Sequence, residues 1–170
     1  VEMTVLFHRF PDRNADRLSA TLHGGGADSL SALRITSVCV KEFLSVKGDG
    51  VSSVRELMEQ NTRAVFQLER FEKEFPELLE KIPSEGETLL LEPIGNHCRG
   101  TKFLNGNHLI DKDLLSAFEP VCERLPGILY GRFDLKCESA EALRRGEFKV
   151  MELNGVFGEP AHVYDPSFGM

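Results

Sequence analysis

Apolar and polar residues alternate most regularly along two short stretches in the last quarter of the chain. The first is Tyr130-Gly131-Arg132-Phe133-Asp134-Leu135-Lys136 and the second is Phe148-Lys149-Val150-Met151-Glu152-Leu153-Asn154-Gly155. Side chains two apart on a strand share a face, so each stretch reads as a half-buried strand. Arg132 and Asp134 fall on one face of the first, opposite Phe133 and Leu135. Glu152 and Asn154 fall on one face of the second, opposite Met151 and Leu153. The connection between them is short: Ser139 as a cap, Ala140 to Arg145 as one or two helical turns, and Gly146 as the stop. It predicts that the two strands are antiparallel neighbours.

The rest of the chain alternates less cleanly but divides in the same way. Glu2 to Arg9 reads as a strand from its β-branched and aromatic content, Pro11 to Asn14 as a turn, and Leu18 to Leu22 as a second hairpin strand before the loop at Gly24-Gly25-Gly26. Leu33 to Leu44 is a strand ended by a turn at Val46 to Gly50. Ser52 or Ser53 then caps a helix whose apolar side is Val54, Leu57 and Met58. A second helix runs from about Thr62 through Ala64, Val65, Leu68 and Phe71, and Pro76 bends or restarts it. Thr88 to Ile94 reads as a buried strand. Asn105-Gly106 reads as a tight turn between short strands at Thr101 to Leu104 and His108 to Ile110. Asp111 caps a helix with Leu114, Leu115, Phe118, Val121, Cys122 and Leu125 on one side, which Pro120 should kink or split. The order of elements gives an α+β fold, a largely antiparallel sheet with helices packed on one face.

Composition narrows the class. The 170 residues suffice for one sizeable core, and 1–170 reads as a single domain. A formal charge of −7 argues against a nucleic-acid partner held by phosphate neutralisation. No apolar run approaches membrane-spanning length and no charged-then-apolar leader opens the chain, so neither a membrane nor export is expected. The four cysteines, Cys39, Cys98, Cys122 and Cys137, show no CxxC or other metal-ligand spacing; a reducing, cytoplasmic setting is the simpler reading, and their even number also allows disulfides. His23 to Gly26 has the His-Gly-Gly-Gly form of an esterase oxyanion loop, but no Gly-x-Ser-x-Gly accompanies it.

Chemistry concentrates on the paired strands. If they are neighbours, one sheet surface gathers Arg132, Asp134, Glu152 and Asn154. Two carboxylates and an amide oxygen are hard ligands of the kind that hold Mg²⁺, and a guanidinium beside them can grip phosphate oxygens. The same alternation also describes the solvated face of an antiparallel sheet, and on spacing alone that is the simpler reading. A second stretch, Gly95-Asn96-His97-Cys98-Arg99-Gly100-Thr101-Lys102, sets glycines around a cluster of basic groups. It suits either a loop that approaches an anion or an exposed polar loop.

Gly131-Arg132-Phe133-Asp134 followed by Glu152-Leu153-Asn154-Gly155 resembles the metal-binding core of the ATP-grasp superfamily, in the manner of D-alanine–D-alanine ligases and related carboxylate–amine ligases. The tail Gly158-Glu159-Pro160-Ala161-His162-Val163-Tyr164-Asp165-Pro166 extends the likeness. The resemblance implies the carboxy-terminal lobe of an ATP- and Mg²⁺-dependent carboxylate–amine or carboxylate–thiol ligase acting through an acyl phosphate, with Mn²⁺ as a substitute ion. Asp134, Glu152 and Asn154 would then be metal ligands and Arg132 the catalytic cation. Arg99 and Lys102 would contact the nucleotide phosphates, and Glu159, His162 and Asp165 are possible substrate-side groups. The partners implied are a small-molecule carboxylate and amine. A substrate domain and first nucleotide-binding lobe, usual ahead of this segment in the family, have no counterpart here, so the chain alone is expected to bind nucleotide weakly and to turn over nothing. The rival readings are a non-catalytic binding or assembly module of the same fold, and a phosphotransferase that uses the same metals on a hydroxyl acceptor.

Overall fold

The structure is a computed structural model that describes residues 1–9 and 33–168. The expectations for Pro11 to Asn14, Leu18 to Leu22 and His23 to Gly26 lie outside the described residues. The chain forms two compact units, Val1–Val40 with Phe103–Met170, and Lys41–Lys102. No helix among the described residues is long and apolar enough to cross a membrane.

The first unit is built on a five-stranded sheet. Its strands are β1 (Glu2–Arg9), β2 (Leu33–Glu42), β5 (Lys102–Asn105), β6 (Tyr130–Cys137) and β7 (Phe148–Asn154), in the spatial order β5-β2-β1-β6-β7. β6 pairs antiparallel with β1 on one side and β7 on the other. One face of the sheet is apolar: Met3, Val5 and Phe7 of β1, Ile35 and Val38 of β2, and Phe133, Leu135 and Cys137 of β6 join a single cluster. Two helices cover that face, α4 (Lys112–Glu123) through Leu114, Phe118 and Cys122, and α5 (Ala140–Arg144) through Leu143. The architecture is therefore mixed α+β, with helices packed on one face of a sheet whose central pairings are antiparallel.

Local sequence explains how these helices begin and end. Asp111 accepts the Leu114 N–H at 2.9 Å and the Arg144 Nε at 2.6 Å, so one carboxylate caps α4 and ties it to α5. Ser139 caps α5 by accepting the Ala142 N–H at 3.1 Å, and Gly146 at φ +76° stops it. Pro120 lies inside α4 without dividing it. Leu114, Phe118 and Cys122 are spaced four apart and anchored on both sides of the proline, so packing holds the helix together despite the missing backbone donor.

The second unit has its own core of Leu44, Val46, Val54, Met58, Ala64, Phe71, Leu79 and Leu91. Around it lie a two-stranded antiparallel sheet of β3 (Ser45–Lys47) and β4 (Thr88–Leu90) and the short helices α1 (Val54–Gln60), α2 (Leu68–Glu74) and α3 (Pro76–Leu79). Ser53 and Glu56 form a reciprocal capping box at the start of α1, and Pro76 occupies the first turn of α3.

Three expectations change here. The helix expected from Thr62 opens instead as a 3₁₀ turn, Ala64–Gln67, because the Asn61 side chain accepts the Arg63 and Ala64 N–H groups and shapes the entry. The buried strand expected over Thr88 to Ile94 is only three residues long. Consecutive leucines on a strand face opposite sides, and this sheet has a core on one side only, so Leu90 is 50% exposed while Leu91 is buried. The hairpin expected at Asn105-Gly106 is absent: Asn107–Leu109 is a 3₁₀ turn and β5 lies beside β2. Val38 takes the place of the expected partner strand. Its N–H donates to Asn107 Oδ1 at 2.8 Å and its carbonyl accepts the Gly106 N–H at 2.9 Å.

At the centre of the first unit, Phe133 stacks on Phe7 with ring centroids 4.8 Å apart and meets Phe118 at 5.6 Å. Phe133→Ala is expected to destabilise by about 3–5 kcal/mol, as for other fully buried phenylalanines. Phe157→Ala should change stability by less than about 0.5 kcal/mol, because that ring is 95% exposed. Chemical denaturation midpoints of the two variants check the contrast.

Candidate functional site

The polar face of the sheet lies opposite α4 and α5, and its layout follows from strand register. Arg132 sits opposite Asn154 and Asp134 opposite Glu152, and on the other side of β6 Thr4 sits opposite Asp134. Thr4, Asp134 and Glu152 thus form one row across three strands, and Arg132 and Asn154 share the next. The four residues singled out from the sequence are brought together on one face.

A register shift makes this possible. β6 and β7 pair Asp134 with Glu152 but Leu135 with Val150, so Met151 is an extra residue in β7. Without it, Phe148 would share a face with Glu152 and Asn154. With it, Phe148 turns to the apolar side and stacks on Phe118 at 4.7 Å, while Leu153 also packs against that core. The bulge therefore lets one strand serve the core at Phe148 and the polar face at Glu152.

The polar contacts within the group are long. Arg132 Nη2 donates to Asp134 Oδ2 at 3.4 Å, and Asn154 Nδ2 donates to the same oxygen at 3.3 Å. Arg132 Nε lies 3.4 Å from Asp134 Oδ1 without forming a hydrogen bond. Asp134 Oδ1, Arg132 Nε and Thr4 Oγ1 are all buried and lack a hydrogen-bond partner. Burial of such groups without partners is costly, so a carboxylate, a guanidinium N–H and a hydroxyl are left with capacity for a ligand. Glu152 is exposed and makes no ion pair among the described residues. Asn154 spends its NH₂ on Asp134, which leaves its amide oxygen available.

The segment after β7 crosses this face and forms its wall. Gly158 N–H closes a turn onto the Gly155 carbonyl at 2.8 Å. The Tyr130 hydroxyl donates to the Gly158 carbonyl, and Arg132 Nη1 donates to the Glu159 carbonyl at 3.4 Å. A Cβ on Gly158 would come within 2.9 Å of Arg132 Cβ, so only glycine lets the backbone pass this close. Further along, His162 Nδ1 is 2.7 Å from the buried Ser37 Oγ of β2, and Asp165 accepts the Asn105 N–H of β5 at 2.6 Å. Residues 155–168 thus run as a strap from the β7 edge of the sheet to the β5 edge.

Those contacts sort the three tail residues named from the sequence. Asp165 is an anchor: it also accepts the Ser167 N–H and hydroxyl, and the Asn105 N–H leads in holding its carboxyl below the usual range. His162 is joined to Ser37 and meets Phe168 edge-on. Glu159 binds the Tyr164 hydroxyl, and that hydrogen bond raises the phenol's pKa.

Arg99 and Lys102 belong to the second unit. Arg99 lies 3.3 Å from the buried Glu92, which Arg70 also engages at 2.9 Å, and Lys102 pairs with Glu42 at 2.7 Å. Both cations are nearly half exposed, and each has more N–H donors than its ion pair uses. All four cysteines are free thiols, three of them buried.

Among the described residues no group of three or more His, Cys, Asp and Glu is arranged to hold a metal. Asp134, Glu152 and Asn154 form a smaller set, two carboxylates and one amide. That suits a cation that completes its shell with water and phosphate, as Mg²⁺ does. Sequence reasoning missed Thr4 and Ser37, because the signal that places them is strand register. No family model matches the chain, and no curated protein matches it closely enough to mark a relative.

The Asp165 anchor is pH-dependent in a defined direction. A carboxyl whose folded pKa is depressed stabilises fully above its ordinary value, here 3.8, and loses that contribution as pH falls through the lower folded value. Protection of the amides of residues 158–164 against hydrogen exchange, taken relative to an unstructured chain at the same pH, should therefore fall below about pH 3.8 in the wild type. In Asp165→Ala that protection should already be low at neutral pH and show no such acid step.

Proposed function

We propose that the chain is the metal-binding catalytic lobe of an ATP-dependent carboxylate–amine or carboxylate–thiol ligase of ATP-grasp type. The observation that carries this reading is the register that sets Arg132 beside Asn154 and Asp134 beside Glu152 on one sheet face. The residues fit a divalent cation by their chemistry: a buried carboxylate oxygen without a partner, and a second carboxylate and an amide oxygen that have no partner among the described residues.

Asp134, Glu152 and Asn154 would hold Mg²⁺. The ion would supply charge neutralisation on the ATP phosphates during phosphoryl transfer. The reaction implied is transfer of the γ-phosphoryl group to a substrate carboxylate with loss of ADP, then attack of an amine or thiol on the acyl phosphate with loss of phosphate. Arg132 stands beside the carboxylates, where its guanidinium steadies the phosphoryl oxygens and then the oxyanion formed on attack. The strap walls one side of the face and limits water there. Arg99 and Lys102 are the proposed anion contacts of the second unit.

The test is a thermal melt with Mn²⁺ and a non-hydrolysable ATP analogue. Saturation at about a hundredfold over Kd should stabilise the wild type by about 2.7 kcal/mol, a rise in Tm of roughly 5–10 °C. Asp134→Ala and Glu152→Ala should abolish most of it. A rise of equal size in both variants would place the ligand elsewhere. No rise in the wild type, with Mn²⁺ and the analogue raised to their solubility limits to allow for weak binding, would remove the catalytic reading and leave a binding or assembly module of the same fold.

A further inference from the structure

Thr4 is 1% exposed, and its hydroxyl has no hydrogen-bond partner. Most buried hydroxyls in folded proteins are satisfied, and here a valine would fill nearly the same space with no polar atom to bury. The neighbours of Thr4, Met3 and Val5, face the apolar cluster, so Thr4 faces the other side, directly across from Asp134. Side chains paired this way across antiparallel strands have Cβ atoms about 5 Å apart, within reach of a small rotation.

The group opposite is the complement of what Thr4 lacks. Asp134 Oδ1 is a buried acceptor without a donor, and Thr4 Oγ1 is a buried donor without an acceptor. Asp134 Oδ2, by contrast, already receives two long hydrogen bonds, from Arg132 and Asn154. The carboxylate is therefore steered from one oxygen only, and weakly. Carboxylates that ligate metals are themselves held by hydrogen bonds from surrounding residues.

We infer that Thr4 is a positioning residue for the carboxylate site. Its hydroxyl donates to one lone pair of Asp134 Oδ1 after a small rotation, and this fixes the plane of the carboxylate that would hold a divalent cation. The inference rests on the proposed metal-binding reading and adds a residue that touches neither nucleotide nor substrate. It also explains why β1 carries a polar residue at a fully covered position.

The experiment is a Mn²⁺ titration of the whole chain, with free Mn²⁺ read by electron paramagnetic resonance, on wild type, Thr4→Val, Thr4→Ser and Asp134→Ala. Thr4→Val should weaken Mn²⁺ binding about 10- to 100-fold, the range typical for loss of a group that orients a ligand. Its melting temperature without metal should be unchanged or higher, since the substitution removes a buried unsatisfied hydroxyl. Thr4→Ser should restore binding to within about threefold, because it keeps the donor.

Other outcomes separate the two levels of the reading. Equal Mn²⁺ affinity in wild type and Thr4→Val, with Asp134→Ala impaired, would overturn the role of Thr4 and leave the metal site standing. A Thr4→Val protein that melts lower without metal and binds Mn²⁺ normally would make Thr4 a structural residue only. Wild type that binds no better than Asp134→Ala would overturn the metal reading and this inference with it.

Discussion

Four phenylalanines set the phase of the central strands. Phe7 stacks on Phe133, Phe133 meets Phe118, and Phe118 stacks on Phe148. The column joins β1, β6, α4 and β7, and each ring adds area burial to specific aromatic geometry. Once Phe133 and Phe148 are both committed to α4, strict alternation cannot also bring Glu152 and Asn154 to the face that carries Asp134. One residue must be inserted, and Met151 is that residue. The polar constellation is therefore a consequence of core packing, with the bulge as the joint between the two demands.

The same division makes the opposite face unusual for an open sheet. One side of an antiparallel sheet commonly meets water, yet here Glu2, Thr4, Ser37 and Asp134 are all buried on it. Two of these are matched: Glu2 lies 3.0 Å from Lys136, and Ser37 is hydrogen-bonded to His162. Asp134 and Thr4 retain unsatisfied atoms. The strap carries the Ser37 match and the contacts to Arg132, and its far end is fixed at Asp165. An anchor on β5 thus bears on the environment of residues on β6, although no single contact joins them.

Much of this was legible in one dimension. The strands around Arg132 and Glu152, their antiparallel pairing across a short helix, the Ser139 and Asp111 caps and the Gly146 stop all depend on residues within a few positions of one another. Local propensity and capping chemistry suffice for these. What escaped depends on partners distant in sequence. The short β4 follows from a sheet with a core on one side, the failed hairpin from Asn107 reaching Val38, and the unbroken α4 from anchors on both sides of Pro120. At the site, the carboxylates, amide and guanidinium were visible as a pattern, but Thr4 was not. Only the pairing of β1 with β6 brings a residue from the start of the chain beside Asp134.

The geometry of Arg132 and Asp134 bears on why they are there at all. A buried guanidinium–carboxylate pair stabilises a fold only when it is close and fully hydrogen-bonded, with N–O distances near 2.8 Å and often two parallel bonds. These two approach at 3.4 Å along both edges and leave one atom unsatisfied on each partner. In the same unit, Arg144 and Asp111 meet at 2.6 Å at a helix cap, so the fold makes a close ion pair where stability is served. An apolar pair in place of Arg132 and Asp134 would remove the desolvation cost and leave the aromatic column untouched. The loose pair is thus a poor structural element, and under the proposed reading its unused donor and acceptor are the atoms that a bound phosphate and a bound cation would complete.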